Sequence, residues 1–274
     1  MTSRDIYQAL NDQSAETMEM VIARMEARAK DPRFVEMRGA YLDSLDLASA
    51  RTFLDLGCGT GLDARAAARH PAFKGVATGV DVSDVMVEAG IRFAADEGIA
   101  DRVFLRTGDA EKTGLPDASF DVIVMHTLVS HVKDPGAVMS EASRLLSPRG
   151  RLLVFDADFD SIAFAYPDAA VARAVEASLL ETFVANPRVM RELPSLLAEA
   201  GLEIAGTRSH IVSDVGTTAF FTAFVNNYAP RMSTFGLQPA ATVDAWISHQ
   251  KRAIENGTFF GSLNFHAYLL SKPR

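Results

Sequence analysis

The sequence predicts an α/β fold built on a doubly wound, mostly parallel sheet. Three observations lead there. Short apolar runs alternate with helical patterns from Thr52 to Phe155. The first of those runs ends in a glycine-rich turn at 54–61, and two further strand candidates near the end are separated by a long helix-like stretch. Strands alternating with helices form right-handed βαβ units and hence a parallel sheet.

Taken in order, the first fifty residues read as helical. Met18, Val21, Ile22 and Met25 fall at i, i+3, i+4 and i+7, the stripe of an amphipathic helix. Asp31-Pro32 interrupts the pattern, which resumes from Phe34 to Leu47. Strands follow at 52–56, 75–82, 103–107, 120–125 and 150–155, with helices near 62–68, 83–97 and 135–146. The run Asp121-Val122-Ile123-Val124-Met125 is apolar enough for a strand buried on both faces. In Leu146-Ser147-Pro148-Arg149-Gly150 proline cannot continue a helix and glycine permits the turn. A helix at 193–200 stops at Gly201, and the last strand candidates are 203–212 and 258–270. Between these lie helix-like stretches at 216–228 and 240–255, the second carrying Val243, Trp246, Ile247 and Ile254 on one face. That connection is far longer than a hairpin loop.

Composition narrows the partners. A net charge of −8 with no Lys/Arg cluster argues against binding a phosphate backbone, so no nucleic-acid partner is expected. The start lacks the apolar segment of a secretory signal, and no stretch approaches the ~18 apolar residues that cross a bilayer. One cysteine cannot form an intramolecular disulfide, which fits a reducing compartment. A cytoplasmic protein without membrane attachment is the expectation.

The glycine turn Leu54-Asp55-Leu56-Gly57-Cys58-Gly59-Thr60-Gly61 joins a strand to a helix. Glycines let the backbone approach a ligand, and the helix N-terminus presents free N–H groups. A dinucleotide fingerprint would want a third glycine at Leu62, and no Gly-Lys-Ser/Thr follows to make a P-loop. The second strand ends at Asp81, placed to accept hydrogen bonds from ribose hydroxyls. The third leads into Gly108-Asp109-Ala110, where a carboxylate can meet an adenine amine.

LDLGCGTG at 54–61, GVDVS at 79–83, GDAEKTGLPDASFD at 108–121 and SRLLSPRGRLLVFD at 143–156 resemble class I S-adenosylmethionine-dependent methyltransferases. Within these the chain is most similar to the ubiquinone/menaquinone-biosynthesis-like group of small-molecule methyltransferases. The closing FFGSLNFHAYLLSKP resembles that group's last strand, whereas residues 1–45 and 205–257 match no motif. The resemblance implies a Rossmann-like single domain over 1–274. The helical patterns outside the motifs add a helical N-terminal cap at 1–48 and a helical insertion or lid at 205–257, around a cofactor-binding core at 49–160 and a last strand at 258–272. The resemblance also implies S-adenosyl-L-methionine as cofactor and a small-molecule methyl acceptor. Asp55 would sit near the methionine amino group, with Gly57, Cys58, Gly59 and Gly61 along the methionine and ribose. Asp81 would hold the ribose, Val82 and Met86 the adenine face, Asp109 and Ala110 the adenine edge, and His126 the methionine end.

Methyl transfer is an in-line displacement in which positioning supplies much of the rate, and oxygen acceptors of high pKa also need a base. The catalytic candidates are His126, His131 and Asp156, at or after the ends of the fourth and fifth strands. The histidine at the His131 position commonly serves local structure in the resembled group. Asp156, Asp158 and Asp160 fit a calcium loop poorly, because Ser161 and Pro167 stand where glycine and the closing glutamate belong. No metal site is expected. Met125-His126-Thr127-Leu128 also differs from the Asn/Asp-Pro-Pro-Tyr/Phe of amide- and adenine-directed enzymes.

Tyr166, His210, Asn226, Asn227 and His266 are weaker pocket candidates. Phe220, Phe221, Phe224, Phe235 and Trp246 suggest a lid over an apolar or aromatic acceptor, a hydrophobic cap or a homodimer face. The expected reaction is O- or N-methylation of such a metabolite. C-methylation of a quinone-like precursor and a non-catalytic cofactor-binding subunit stay open.

Overall fold

A computed structural model describes residues 5–273; residues 1–4 of the expected cap and Arg274 lie outside the described residues. A 3-10 segment, Ile6–Asp12, precedes two helices, α1 (Ala15–Ala29) and α2 (Pro32–Asp43). Ser14 caps α1 by accepting from the Thr17 N–H at 3.2 Å. Asp31-Pro32, expected as an interruption, is the start of α2. Asp31 accepts from the Arg33 N–H at 2.9 Å, and a proline at the first helical position removes an N–H that has no helical partner. The 3-10 segment carries no apolar periodicity and is not foreseen by it.

The alternating core then runs β1 (Thr52–Leu56), α3 (Leu62–Arg69), β2 (Val76–Asp81), α4 (Asp84–Asp96), β3 (Val103–Thr107), β4 (Phe120–His126), α5 (Pro135–Leu145) and β5 (Leu146–Phe164). After it come α6 (Ala169–Leu180), α7 (Val189–Glu199), β6 (Glu203–Gly216), α8 (Ala229–Thr234), α9 (Ala240–Glu255) and β7 (Phe259–Ser271). The seven strands lie in the order β3-β2-β1-β4-β5-β7-β6, with β1 to β5 parallel and β7 antiparallel to both neighbours. This is the Rossmann-like doubly wound sheet that the alternation predicts. Chain direction of winding reverses between β1 and β4, so a crevice opens at their carboxyl ends.

Alternate residues of each strand feed two apolar layers. Phe53, Val122, Val124, Leu153 and Phe155 face one layer, shared with α2, α3 and α9. Leu54, Ile123, Met125, Leu152 and Val154 face the other, against α5 and α7. Both faces being covered is why these strands read as continuous apolar runs.

Three boundaries differ from the sequence reading. First, β5 continues past Phe155 to Phe164, with a register shift against β7 between Asp158 and Ala163. Its aspartates fit a calcium loop poorly, and in the strand Asp156 is held by Ser130 and Ala157 while Asp158 and Asp160 pair with Arg191. Second, α7 starts at Val189, ahead of Leu193, although Pro194 lies inside it. The Met190 carbonyl, which the proline cannot bond, accepts instead from the Tyr268 hydroxyl at 3.1 Å. Third, β6 runs to Gly216, paired with β7 along its length. The first part of the expected 205–257 insertion is therefore strand, and helical structure begins after Gly216, with a π-helical turn at Phe224–Tyr228. Among the described residues no helix is long and apolar enough to cross a membrane.

Candidate active site

The glycine turn is built by long-range pairing as well as by its own freedom. The N–H groups of Gly57 and Cys58 both donate to the Val80 carbonyl, at 2.8 and 3.0 Å. Gly57 and Gly59 take φ of 72° and 53°, a region that side chains disfavour. A Cβ at Gly57 would come within 2.4 Å of Leu128, and one at Gly59 within 2.6 Å of Met25. Gly61, at φ 73°, abuts Leu105 and not the crevice.

Asp55 is buried beneath the turn. Its carboxylate accepts from the N–H groups of Asp63 and Ala64 at 3.1 and 3.0 Å, which fixes the start of α3. Asp55, expected near the methionine amino group, does not line the crevice. Cys58 is likewise buried, and burial pushes its thiol well up, away from nucleophilic character.

Asp81 stands at the crevice. One carboxylate oxygen accepts from the Gly59 N–H at 2.7 Å and the other from the Ser83 N–H at 3.0 Å. Each oxygen keeps a lone pair for a ligand. Burial pushes this carboxyl above the ordinary aspartate range, with the backbone donors opposing. Gly57, Gly59, Asp81, Val82, Met86, Asp109, Ala110 and His126 line a crevice of about 270 Å³. Asp109 turns back to accept from the Glu111 N–H at 2.9 Å, leaving its carboxylate at the exposed rim. The 3-10 segment closes the far side with Tyr7 and Leu10, and Asn11 donates to the Val82 carbonyl at 3.0 Å.

His126 has a defined tautomer. The Tyr41 hydroxyl donates its one proton to Asp63, so the 2.9 Å contact between Tyr41 and His126 Nδ1 requires the histidine to donate. Asp63 lies 3.3 Å from the same nitrogen and is itself paired with Arg38 at 3.1 Å. Burial acts to raise Asp63, but Arg38, His126 and Tyr41 together hold it far below the ordinary range. Burial pushes His126 down to about 4 against the pull of Asp63. The imidazole is therefore neutral, with the lone pair on Nε2. That nitrogen is buried and has no hydrogen-bond partner among the described residues.

His131 lies beside a second cavity of about 470 Å³, which shares Tyr7, Met25, Arg28, Thr127 and His131 with the crevice. Asp5 contacts His131 Nδ1 at 2.8 Å and also accepts from the Ala185 N–H at 3.1 Å. Tyr7 packs its ring on the imidazole, centroids 4.5 Å apart. Asp156 does not join them. Its oxygens accept from the Ser130 hydroxyl and N–H and from the Ala157 N–H at 2.8–3.1 Å, tying the loop after β4 to β5. Asp156, expected among the catalytic candidates, lines neither cavity. Asp158 and Asp160 pair with Arg191 at 2.8 and 2.9 Å.

The aromatic residues of the insertion divide. Phe220 and Phe224 line the second cavity, whereas Phe221 and Trp246 are fully buried around Phe164 and belong to the core. Tyr166 packs on His249, His266 bonds Ser209 at 2.8 Å, and Asn226 and Asn227 are exposed; with His210, none of these lines either cavity. Sequence reasoning missed Tyr7, Arg28, Tyr41, Asp63 and Thr127. Thr127 takes φ 55° immediately after β4, where no glycine marks the bend. The only sequence signal for Arg28 is that it repeats Arg24 four residues on, one turn along a helix.

Comparison with known proteins agrees with this geometry. Residues 54–154 match the family described as "Methyltransferase domain". A 37.1 kDa transposon protein of Streptomyces fradiae is 29% identical over 231 residues, 84% of this chain and 65% of that one. The 27-O-demethylrifamycin SV methyltransferase of Amycolatopsis mediterranei is 36% identical over 113 residues, 41% of this chain and 40% of that one. The chain thus spans less than two thirds of the length of these curated relatives. Among solved structures, the YcgJ protein of Bacillus subtilis superposes with a TM-score of 0.57 at 20% identity, covering 86% of this chain and 98% of its own. The fold, the glycine turn with Asp81 and the family match coincide: residues 54–154 match the methyltransferase-domain family, and the chain has the Rossmann-like fold of the solved structures it resembles.

Proposed function

We propose that the protein transfers a methyl group from S-adenosylmethionine to oxygen or nitrogen of a small, apolar or aromatic metabolite. The observation that carries this reading is the pair of adjoining cavities with His131 on the wall they share. One bears the glycine turn and Asp81; the other is lined by aromatic rings together with Arg24, Arg28, Lys30 and Asp31.

The residues present fit the cofactor. Asp81 offers acceptors for ribose hydroxyls, and at Gly57 and Gly59 a Cβ would push Leu128 and Met25, which line the crevice, out of place. His126 Nε2, without a partner among the described residues, is an acceptor that would hold a donor such as the methionine ammonium. When bound, S-adenosylmethionine supplies an electrophilic methyl group on a sulfonium.

The acceptor's proton goes to His131. Asp5 takes the hydrogen bond from Nδ1, which leaves Nε2 free of a proton and stabilises the imidazolium that forms. His126, held neutral at about 4, is too weakly basic for that task and serves binding. Asp5 caps the 3-10 segment and Tyr7 lies within it, so the N-terminal cap orders the base while shielding the crevice. The name of the Amycolatopsis relative supports an oxygen acceptor.

The test begins with calorimetric titration against S-adenosylmethionine, S-adenosylhomocysteine and NADH. An acceptor screen then reads S-adenosylhomocysteine release from wild type and His131→Asn. Binding of both adenosyl ligands but not NADH is expected. With the acceptor found, His131→Asn should lower kcat roughly 100-fold and leave cofactor affinity unchanged. Folded protein that binds no adenosyl ligand refutes the reading, and methylation only at carbon refutes the acceptor type. Cofactor binding with no turnover across the screen would favour a non-catalytic subunit.

A further inference from the structure

The aromatic cavity holds two arginines that the methyl-transfer chemistry does not use. Arg24 and Arg28 are one turn apart on α1, and both line the cavity. Arg24 donates to the Tyr7 hydroxyl at 2.8 Å and lies over the Tyr228 ring. Arg28 lies over the Phe34 ring and has one long contact, 3.5 Å, to the Thr127 hydroxyl. Among the described residues neither has a carboxylate within ion-pair distance.

Elsewhere the fold satisfies its enclosed arginines, Arg102 with the carbonyls of Ala68, Phe73 and Gly75 at 2.8–3.2 Å and two others with carboxylates. Arg38 faces Asp63 at 3.1 Å, and Arg65 faces Glu26 at 2.5 Å as well as Glu97. Near the cavity the acids are spent on other partners: Asp31 on Arg33 at 2.6 Å, and Asp156 on Ser130 and Ala157. Two guanidinium groups brought together on a largely apolar wall, without a counter-charge, are costly unless an anion joins them. Six rings, those of Phe159, Phe183, Phe220, Phe224, Tyr228 and Phe265, surround the rest of the space.

We infer that the methyl acceptor is an amphipathic anion, its carboxylate or phosphate group held by Arg24 and Arg28 and its apolar body set among these rings. The inference rests on the methyltransferase reading and narrows its substrate class. Planar guanidinium donors suit both oxyanions, forming charge-assisted bonds in pairs. The cofactor's own carboxylate does not account for the pair, because Arg24 lines the aromatic cavity and not the crevice. Holding the anionic head on α1 places the rest of the acceptor against Thr127 and His131, where the two cavities meet.

The experiment measures binding of a matched series to the full chain by calorimetry, with and without saturating S-adenosylhomocysteine. The probes are 2-naphthoate, 2-naphthyl phosphate and the uncharged 2-naphthamide. At least one anion should bind roughly tenfold or more tightly than the amide, and the better of the two identifies the head group. Arg24→Gln and Arg28→Gln should each remove most of that preference. Equal binding of all three probes to wild type, which needs no variant to fold, overturns the inference. So does an Arg28→Gln protein that loses S-adenosylhomocysteine affinity yet keeps the anion preference, since the arginine would then serve the cofactor. If S-adenosylhomocysteine itself fails to bind wild type, the methyltransferase reading falls, while the probe series without it still decides the anion site.

Discussion

Asp81→Asn separates what this side chain does for the fold from what it does for the ligand. In the protein its two oxygens accept from the Gly59 and Ser83 N–H groups at 2.7 and 3.0 Å, and their remaining lone pairs face the crevice. Asparagine keeps the shape but has one acceptor oxygen; its amide nitrogen must face either a backbone donor or the ligand. One backbone bond is lost and the other becomes neutral, which costs about 1–2 kcal/mol of stability. Two ribose hydroxyls bonded to the carboxylate contribute about 1.5–3 kcal/mol each, so losing the charge should cost binding about 3 kcal/mol or more, roughly 100-fold in Kd. The assay is calorimetric titration with S-adenosylhomocysteine beside urea unfolding of the ligand-free protein. A large affinity loss with a small stability loss supports ribose binding by Asp81. Stability lost as calculated, with Kd within threefold of wild type, would refute it and leave Asp81 a support for the glycine turn.

Other perturbations probe the surrounding network. Arg38→Met leaves the buried Asp63 without its guanidinium and should destabilise the protein by about 3 kcal/mol, read by urea unfolding. His126 sits near 4 in the folded state against ~6.5 when unfolded, so the unfolded chain takes up its proton first as pH falls. Its contribution, about 3 kcal/mol, is present above pH ~6.5 and is lost between there and pH ~4. Asp63, depressed when folded, loses its contribution in the same direction at lower pH. Unfolding measured across pH 7 to 4 should therefore show falling stability, with a shallower fall in His126→Gln. Ala223→Trp intrudes on the aromatic cavity alone and should raise the acceptor KM while S-adenosylhomocysteine affinity holds. Removing residues 1–12 should weaken both ligands, because Tyr7 lines both cavities and Leu10 the crevice. Loss of acceptor affinity alone would place the segment over the acceptor only.

The sequence by itself determined the parallel sheet, the glycine turn and Asp81. These follow from local information: apolar runs of strand length, helical periodicity, and glycines where the backbone takes positive φ. Asp55, Cys58 and Gly61 belong to the same motif, yet only packing reveals that they lie behind the crevice while Gly57 and Gly59 face it. A motif gives residue types in order, not which way each side chain points. Tertiary structure alone decided the rest. Tyr41 is 85 residues from the His126 whose tautomer it sets, and Asp5 is 126 residues from His131. Asp156 looked catalytic because a carboxylate at a strand end often is, and the Ser130 loop that consumes its lone pairs is 26 residues away. Arg24 and Arg28 carry no sequence signal beyond their spacing on α1, and only the packing of α1 turns them into an aromatic cavity. Local patterns fix elements because their interactions are near in sequence; charges and tautomers are set by neighbours that only the folded chain brings together.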